Sequence, residues 1–167
     1  MVASGPVGAL QQEGVRREQP RRRREPWSGN PPGPDLAMSR RILLVDDDAL
    51  LREVAQSALE LVGGWHVSTA ASGGQAQQRA RAERPDAILL DVMMPGLDGP
   101  TTVNALRADP TTRDIPIIFL TAKMPSDDLG EWRPLRLAGV IRKPFDPMTL
   151  AADMAALLGW QEGRGDR

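Results

Sequence analysis

The sequence predicts an α/β domain built on a doubly wound, five-stranded parallel sheet, and three observations carry that reading. From residue 41 onward, short apolar runs rich in branched residues alternate with longer amphipathic stretches. The runs give way to aspartate, threonine or lysine, as buried parallel strands do where a polar loop takes over. Finally, a length of 167 residues suits one ordinary domain and is short for two well-cored ones.

Arg41-Ile42-Leu43-Leu44-Val45 reads as the first strand, stopping at Asp46-Asp47-Asp48. Asp48 can cap a helix over about 49–62, where Leu51, Val54, Ala55, Ala58, Leu61 and Val62 recur at helical spacing before Gly63-Gly64. Trp65 to Ala70 forms the second strand, and Ser72 to Glu83 a polar, Ala-rich helix that stops before Pro85. The third strand, Asp86 to Leu90, ends at Asp91; a loop with Pro95 and Gly96 then leads to a helix over about 99–108 capped by Asp98. Ile115 to Leu120 gives the fourth strand. A helix over about 127–137 follows, capped by Ser126 and interrupted by Pro134, which has no amide to donate. Gly139 to Arg142 is a short fifth strand, and Pro147 opens a last helix that ends near Leu158, just before Gly159. Five strands alternating with five helices imply right-handed βαβ crossovers.

Charge divides the chain. The totals, 21 Lys+Arg against 22 Asp+Glu, give a formal net charge of -1. Residues 1–38, however, hold six Arg (Arg16, Arg17 and Arg21 to Arg24) against four acids, and 11 of those 38 residues are Gly or Pro. They read as a disordered, Arg/Pro/Gly-rich leader, followed by a mildly acidic domain at 39–160 and a short polar tail at 161–167. The arginines lack interleaved aromatics and any amphipathic period, so neither nucleic acid nor a membrane surface is the expected partner. Cysteine is absent, which excludes disulfides, thiolate metal sites and a Cys nucleophile. No apolar run approaches the roughly 18 residues of a membrane span, and the expected location is cytoplasmic.

In a doubly wound sheet the working groups gather at the carboxyl ends of the strands, beside the point where strand order reverses. Those ends carry Asp46, Asp47, Asp91, Thr121 and Lys143. Clustered carboxylates repel, so they either raise their pKa values or hold a cation. Oxygen donors without His or Cys suit a hard ion such as Mg²⁺. A carboxylate can also act as a nucleophile toward phosphorus, with a cation, an ammonium and a hydroxyl around the transferred group. Lys143 stands out because the chain has 19 Arg and only two Lys, so a lysine beside Arg142 suggests that a compact point charge is needed there. Lys123, the other lysine, reads as a solvated residue near the same site, and His66, the single histidine, as structural or exposed.

Four stretches in order, Ile42 to Asp48, Ile88 to Gly99, Phe119 to Lys123 and Lys143-Pro144-Phe145, resemble the receiver domain of two-component response regulators over about residues 39–158. The resemblance implies a flavodoxin-like (βα)₅ fold with Asp91 as phosphoryl acceptor. It further implies that Asp47, Asp91 and the Met93 backbone carbonyl bind Mg²⁺, with Asp46 acting mainly through a metal-bound water. Thr121 and Lys143 would contact the phosphoryl group, and the peptide before Pro144 would be cis. The implied role is regulatory rather than enzymatic, with a sensor histidine kinase or histidine phosphotransfer protein as phosphodonor and another protein receiving the signal. Only Gly159 to Arg167 follow the last helix, so the expectation is a stand-alone receiver.

Two positions depart from the family pattern. Val140 stands where an aromatic switch residue is common, and Gly130 and Pro134 fall in the fourth helix, where Trp132 could be an exposed anchor. Two other readings stay open at this stage, a small Mg²⁺-dependent phosphatase and an interaction module that no longer switches.

Overall fold

The computed structural model describes residues 39–123 and 129–160. Among the described residues there are five strands, β1 (Arg41–Val45), β2 (His66–Ala70), β3 (Ala87–Asp91), β4 (Ile117–Thr121) and β5 (Gly139–Arg142). All pair in parallel, in the order β2-β1-β3-β4-β5. The helices are α1 (Ala49–Leu61), α2 (Gly73–Glu83), α3 (Gly99–Ala108) and α4 (Leu150–Leu158).

Strand alternation divides the core into two layers. Ile42, Leu44, Leu89, Ile118 and Leu120 point to the face covered by α1 and α4, against Ala55, Leu59, Leu150 and Met154. Leu43, Val45, Ile88, Leu90, Ile117 and Phe119 point to the opposite face, against Ala76 and Ala80 of α2 and Val103 and Leu106 of α3. The central strands are buried on both sides, so their sequences are continuous apolar runs rather than alternating ones. Each such side chain contributes about 1.5–3 kcal/mol on burial.

Several boundaries shift for identifiable reasons. Trp65 stays outside β2 because its amide closes the end of α1 on Leu59 O at 3.3 Å. Pro116 has no N–H for the ladder, and β4 begins after it, at Ile117. Residues 127 and 128 of the expected helix over 127–137 lie outside the described residues; from 129 on the chain forms a 3₁₀ segment, Leu129–Leu135, with Pro134 inside it and Arg136 at φ +50 just beyond. Among the described residues there are therefore four α-helices and this segment, not five α-helices. Pro147 does not open α4: Asp146 Oδ1 accepts from the Met148 amide at 2.8 Å, and the α-helix starts three residues later, at Leu150. The leader at 1–38, the tail at 161–167 and the Ser126 cap lie outside the described residues.

Candidate functional site

Strand β1 has β2 on one side and β3 on the other, which makes the β1/β3 boundary the point where strand order reverses. Asp46 and Asp47 follow β1 and Asp91 closes β3, so backbone pairing alone brings them together. One carboxylate oxygen from each lies within 4.8 Å of the others. Asp46 is 0% exposed and Asp91 3%, whereas Asp47 is open to solvent.

Each buried carboxylate is held. Asp46 Oδ1 accepts from the Asp48 amide at 2.9 Å, and Asp46 Oδ2 from Lys143 Nζ at 2.8 Å. Asp91 Oδ1 accepts from the Met93 amide at 3.3 Å and lies 3.3 Å from Lys143 Nζ. The ammonium thus bridges two acids from adjacent strands. Lys143 reaches them from the end of β5, where its amide donates to Thr121 O at 2.8 Å and its peptide to Pro144 is cis.

The electrostatics follow from this burial. Desolvation raises the Asp91 pKa above its ordinary value, the neighbouring Asp46 charge raises it further, and Lys143 and the Met93 amide offset only part of the rise. For Lys143, burial alone would lower the pKa. The hydrogen bond and charge of Asp46, with those of Asp91, reverse that effect and hold the ammonium above the usual lysine value. The site is a pair of buried acids sharing one cation, with a third acid at the rim.

Thr121 closes β4, fully buried, and lines a cleft of about 790 Å³ together with Asp47, Met93, Lys123 and Trp132. Its hydroxyl donates to Lys123 O at 2.7 Å and accepts from the Lys123 amide at 3.2 Å. It faces its own loop rather than Asp91. Met93 reaches the acidic cluster through its amide, and the residue is 62% exposed.

The capping expectations are met at Asp48, which accepts from the Leu50 and Leu51 amides, and at Asp98, which accepts from Thr101. His66 is exposed. Trp132 is not an exposed anchor: it is half-buried and packs edge-on against Phe119, with ring centroids 5.0 Å apart. Sequence reasoning missed Arg52, whose Nη1 donates to Asp46 O at 2.6 Å. The available signal was a cation six residues past Asp46, in the first turn of the helix that leaves the acidic loop.

The donor set fits a hard, oxygen-seeking cation. Three carboxylates converge without His or Cys, and one of them faces solvent, so waters can complete the coordination of an ion that dehydrates reluctantly. Asp91 is the acid at the end of the central strand, next to both the rim carboxylate and the ammonium.

Residues 42–155 match the family model for the response regulator receiver domain. The chain belongs to that family. This receiver is 39% identical over 129 residues to the phosphate regulon transcriptional regulatory protein PhoB of Pseudomonas aeruginosa, covering 77% of this chain and 56% of that protein. Among solved structures it resembles the chemotaxis protein CheY4 of Vibrio cholerae, with a TM-score of 0.67 and 31% identity, covering 71% of this chain and 98% of the other. It also resembles the receiver domain of the sensor histidine kinase PA1611 of P. aeruginosa, whose structure has a magnesium ion coordinated in the active-site cleft. The TM-score there is 0.65 at 32% identity, covering 72% of this chain and 98% of that one. The flavodoxin-like fold is therefore shown, and with it a place in two-component signalling. The receiver spans about half the length of several curated relatives that it matches, 47% and 56% of the first two. Among the described residues, no helix is long and apolar enough to cross a membrane.

Proposed function

We propose that this receiver accepts a phosphoryl group on Asp91 from a phosphohistidine of a sensor histidine kinase or histidine phosphotransfer protein, and passes the signal on by protein contact. The observation that carries the reading is Lys143 Nζ placed 2.8 Å from Asp46 and 3.3 Å from Asp91, with Asp47 beside them. An Asp91 carboxylate oxygen attacks phosphorus, the P–N bond breaks, the imidazole leaves with the bonding electrons, and an acyl phosphate remains. Asp47, Asp91 and the Met93 carbonyl would hold Mg²⁺, with Asp46 acting through a bound water. When bound, the ion supplies neutralisation of charge on the phosphoryl oxygens.

The remaining work falls to the chain itself. Lys143 already touches the acceptor carboxylate and can pair with a phosphoryl oxygen once negative charge accumulates there. Thr121 must exchange its bond to the Lys123 carbonyl for one to the phosphoryl group, which couples the acceptor to the β4 loop. That exchange is a local rearrangement that a partner protein can read. The test combines purified protein, Mg²⁺ and a small acyl phosphate donor, followed by intact mass. One Mg²⁺-dependent phosphoryl adduct per chain, absent in Asp91→Asn, supports the reading. No adduct, or one that persists in the variant, overturns it, and turnover of many phosphate esters per chain points to a phosphatase instead.

A further inference from the structure

Arg52 stands beside the acidic cluster and has no part in the chemistry above. Its Nη1 donates at 2.6 Å to the carbonyl of the peptide that joins Asp46 to Asp47. The other polar atoms of Asp46 are also engaged: its amide donates to Ala70 O at 3.2 Å, Oδ1 accepts from Asp48 and Oδ2 from Lys143. Asp46 is therefore fixed at every polar atom. Asp47 is in a different position. It is exposed, and among the described residues the hydrogen bonds and ion pairs of the cluster end on Asp46 and Asp91, not on Asp47.

The direction of the Asp47 side chain thus depends on its flanking backbone. On the far side, Asp48 is locked as the cap of α1 by the Leu50 and Leu51 amides at 3.0 and 3.2 Å. On the near side, the peptide plane is anchored by Arg52. We infer that Arg52 is a positioning residue for Asp47: it fixes the Asp46–Asp47 peptide so that the Asp47 carboxylate stays with those of Asp46 and Asp91, and so sets the Mg²⁺ affinity of the site. Mg²⁺ demands near-ideal octahedral geometry at short distances, so a small swing of one ligand weakens it strongly. Arg52 acts this way only if the cluster is the metal site proposed above, and the experiment must separate the two.

Coulomb's law and positioning predict opposite signs here. Removing a cation beside an acidic site tightens Mg²⁺ binding if charge alone matters. Loss of positioning loosens it. The variants are Arg52→Leu, which keeps the bulk of the stem, and Arg52→Lys, which restores one donor and the charge. Mg²⁺ titration by calorimetry is expected to show about tenfold weaker binding for Arg52→Leu, the scale of one charge-assisted hydrogen bond, with Arg52→Lys in between. In metal-free protein, amide exchange should quicken at Asp48 in Arg52→Leu while the β3 amides of Leu89 and Leu90 keep their protection, which excludes general loosening. Equal or tighter Mg²⁺ binding in Arg52→Leu, beside normal binding in the parent, overturns the role of Arg52 and leaves the metal site standing. Unchanged Asp48 exchange likewise overturns the anchoring. No Mg²⁺ binding by the parent protein overturns the metal site and the Arg52 role together.

Discussion

Replacing Lys143 with methionine removes the ammonium that bridges Asp46 and Asp91 and keeps the apolar stem. Nζ lies 2.8 and 3.3 Å from the two carboxylates, which are 0% and 4% exposed as side chains. Two acids that share one ammonium would then face each other with almost no solvent exposure of their own. Breaking a buried pair by deleting one partner costs about 3–5 kcal/mol. The loss has a ceiling, because one of the acids can take up a proton instead. Protonating a carboxylate with an ordinary pKa of 3.8 costs about 1.4 kcal/mol per pH unit, or ~4 kcal/mol at pH 7 and under ~2 kcal/mol at pH 5. Urea denaturation in EDTA should therefore show Lys143→Met less stable by about 3–4 kcal/mol at pH 7, with the deficit roughly halved at pH 5. Adding Asp91→Asn to Lys143→Met should recover much of the loss at pH 7, since a single acid remains. A deficit below about 1 kcal/mol at pH 7, or one that does not shrink on acidification, refutes the electrostatic account.

Further outcomes follow from the structure. Because burial and Asp46 hold the Asp91 pKa above its unfolded value, ionised Asp91 opposes folding once the pH exceeds that value; Asp91→Asn in EDTA at pH 7 should be at least as stable as the parent. The same variant should lose the stabilisation that saturating Mg²⁺ gives, about 2.7 kcal/mol at one hundred times the dissociation constant; a less stable Asp91→Asn in EDTA contradicts the first outcome, and full Mg²⁺ stabilisation of the variant contradicts the second. Asp109 is held down to about 2 by the Thr111 amide and hydroxyl and by Arg81, so its contribution is present above pH 3.8 and disappears as the pH falls through about 2. Thermal midpoints of Asp109→Asn and the parent should therefore converge between pH 4 and pH 2, and a constant gap would count against it. A methyl group on Gly99 would meet Val92 Cα at 2.8 Å and Asp91 O at 3.1 Å, so Gly99→Ala should cost about 1–3 kcal/mol and slow phosphorylation by shifting the acceptor strand; a fully active, equally stable variant would show that the loop yields freely.

The strands, the strand-end acids and the lysine were legible because each rests on a short-range pattern. Ile88-Leu89-Leu90-Asp91 announces both burial and its end, and Lys143 stood out against a composition in which arginine serves almost everywhere. Misreadings arose where backbone chemistry and tertiary packing decide. Pro147 looked like a first-turn proline, yet the Asp146 side chain forms its own turn with the Met148 amide and delays α4. Trp132 is expected as an exposed anchor on the fourth helix, but its ring packs perpendicular to that of Phe119, a contact that only the fold creates. A lone arginine on a helix ordinarily reads as a solvated one, and only the fold places Arg52 on the Asp46 carbonyl. The direction of the Thr121 hydroxyl, toward Lys123 rather than Asp91, is a rotamer choice that no sequence pattern carries.

As phosphoryl acceptor, Asp91 would carry an acyl phosphate. Borohydride reduces an acyl phosphate to an alcohol, which would convert residue 91 to homoserine after treatment with Mg²⁺ and a small acyl phosphate donor. Peptide mapping by mass spectrometry should find homoserine at position 91 alone, in an amount that falls to background when EDTA replaces Mg²⁺. Reduction at another aspartate, or an unmodified Asp91 in protein that binds Mg²⁺, would contradict the account.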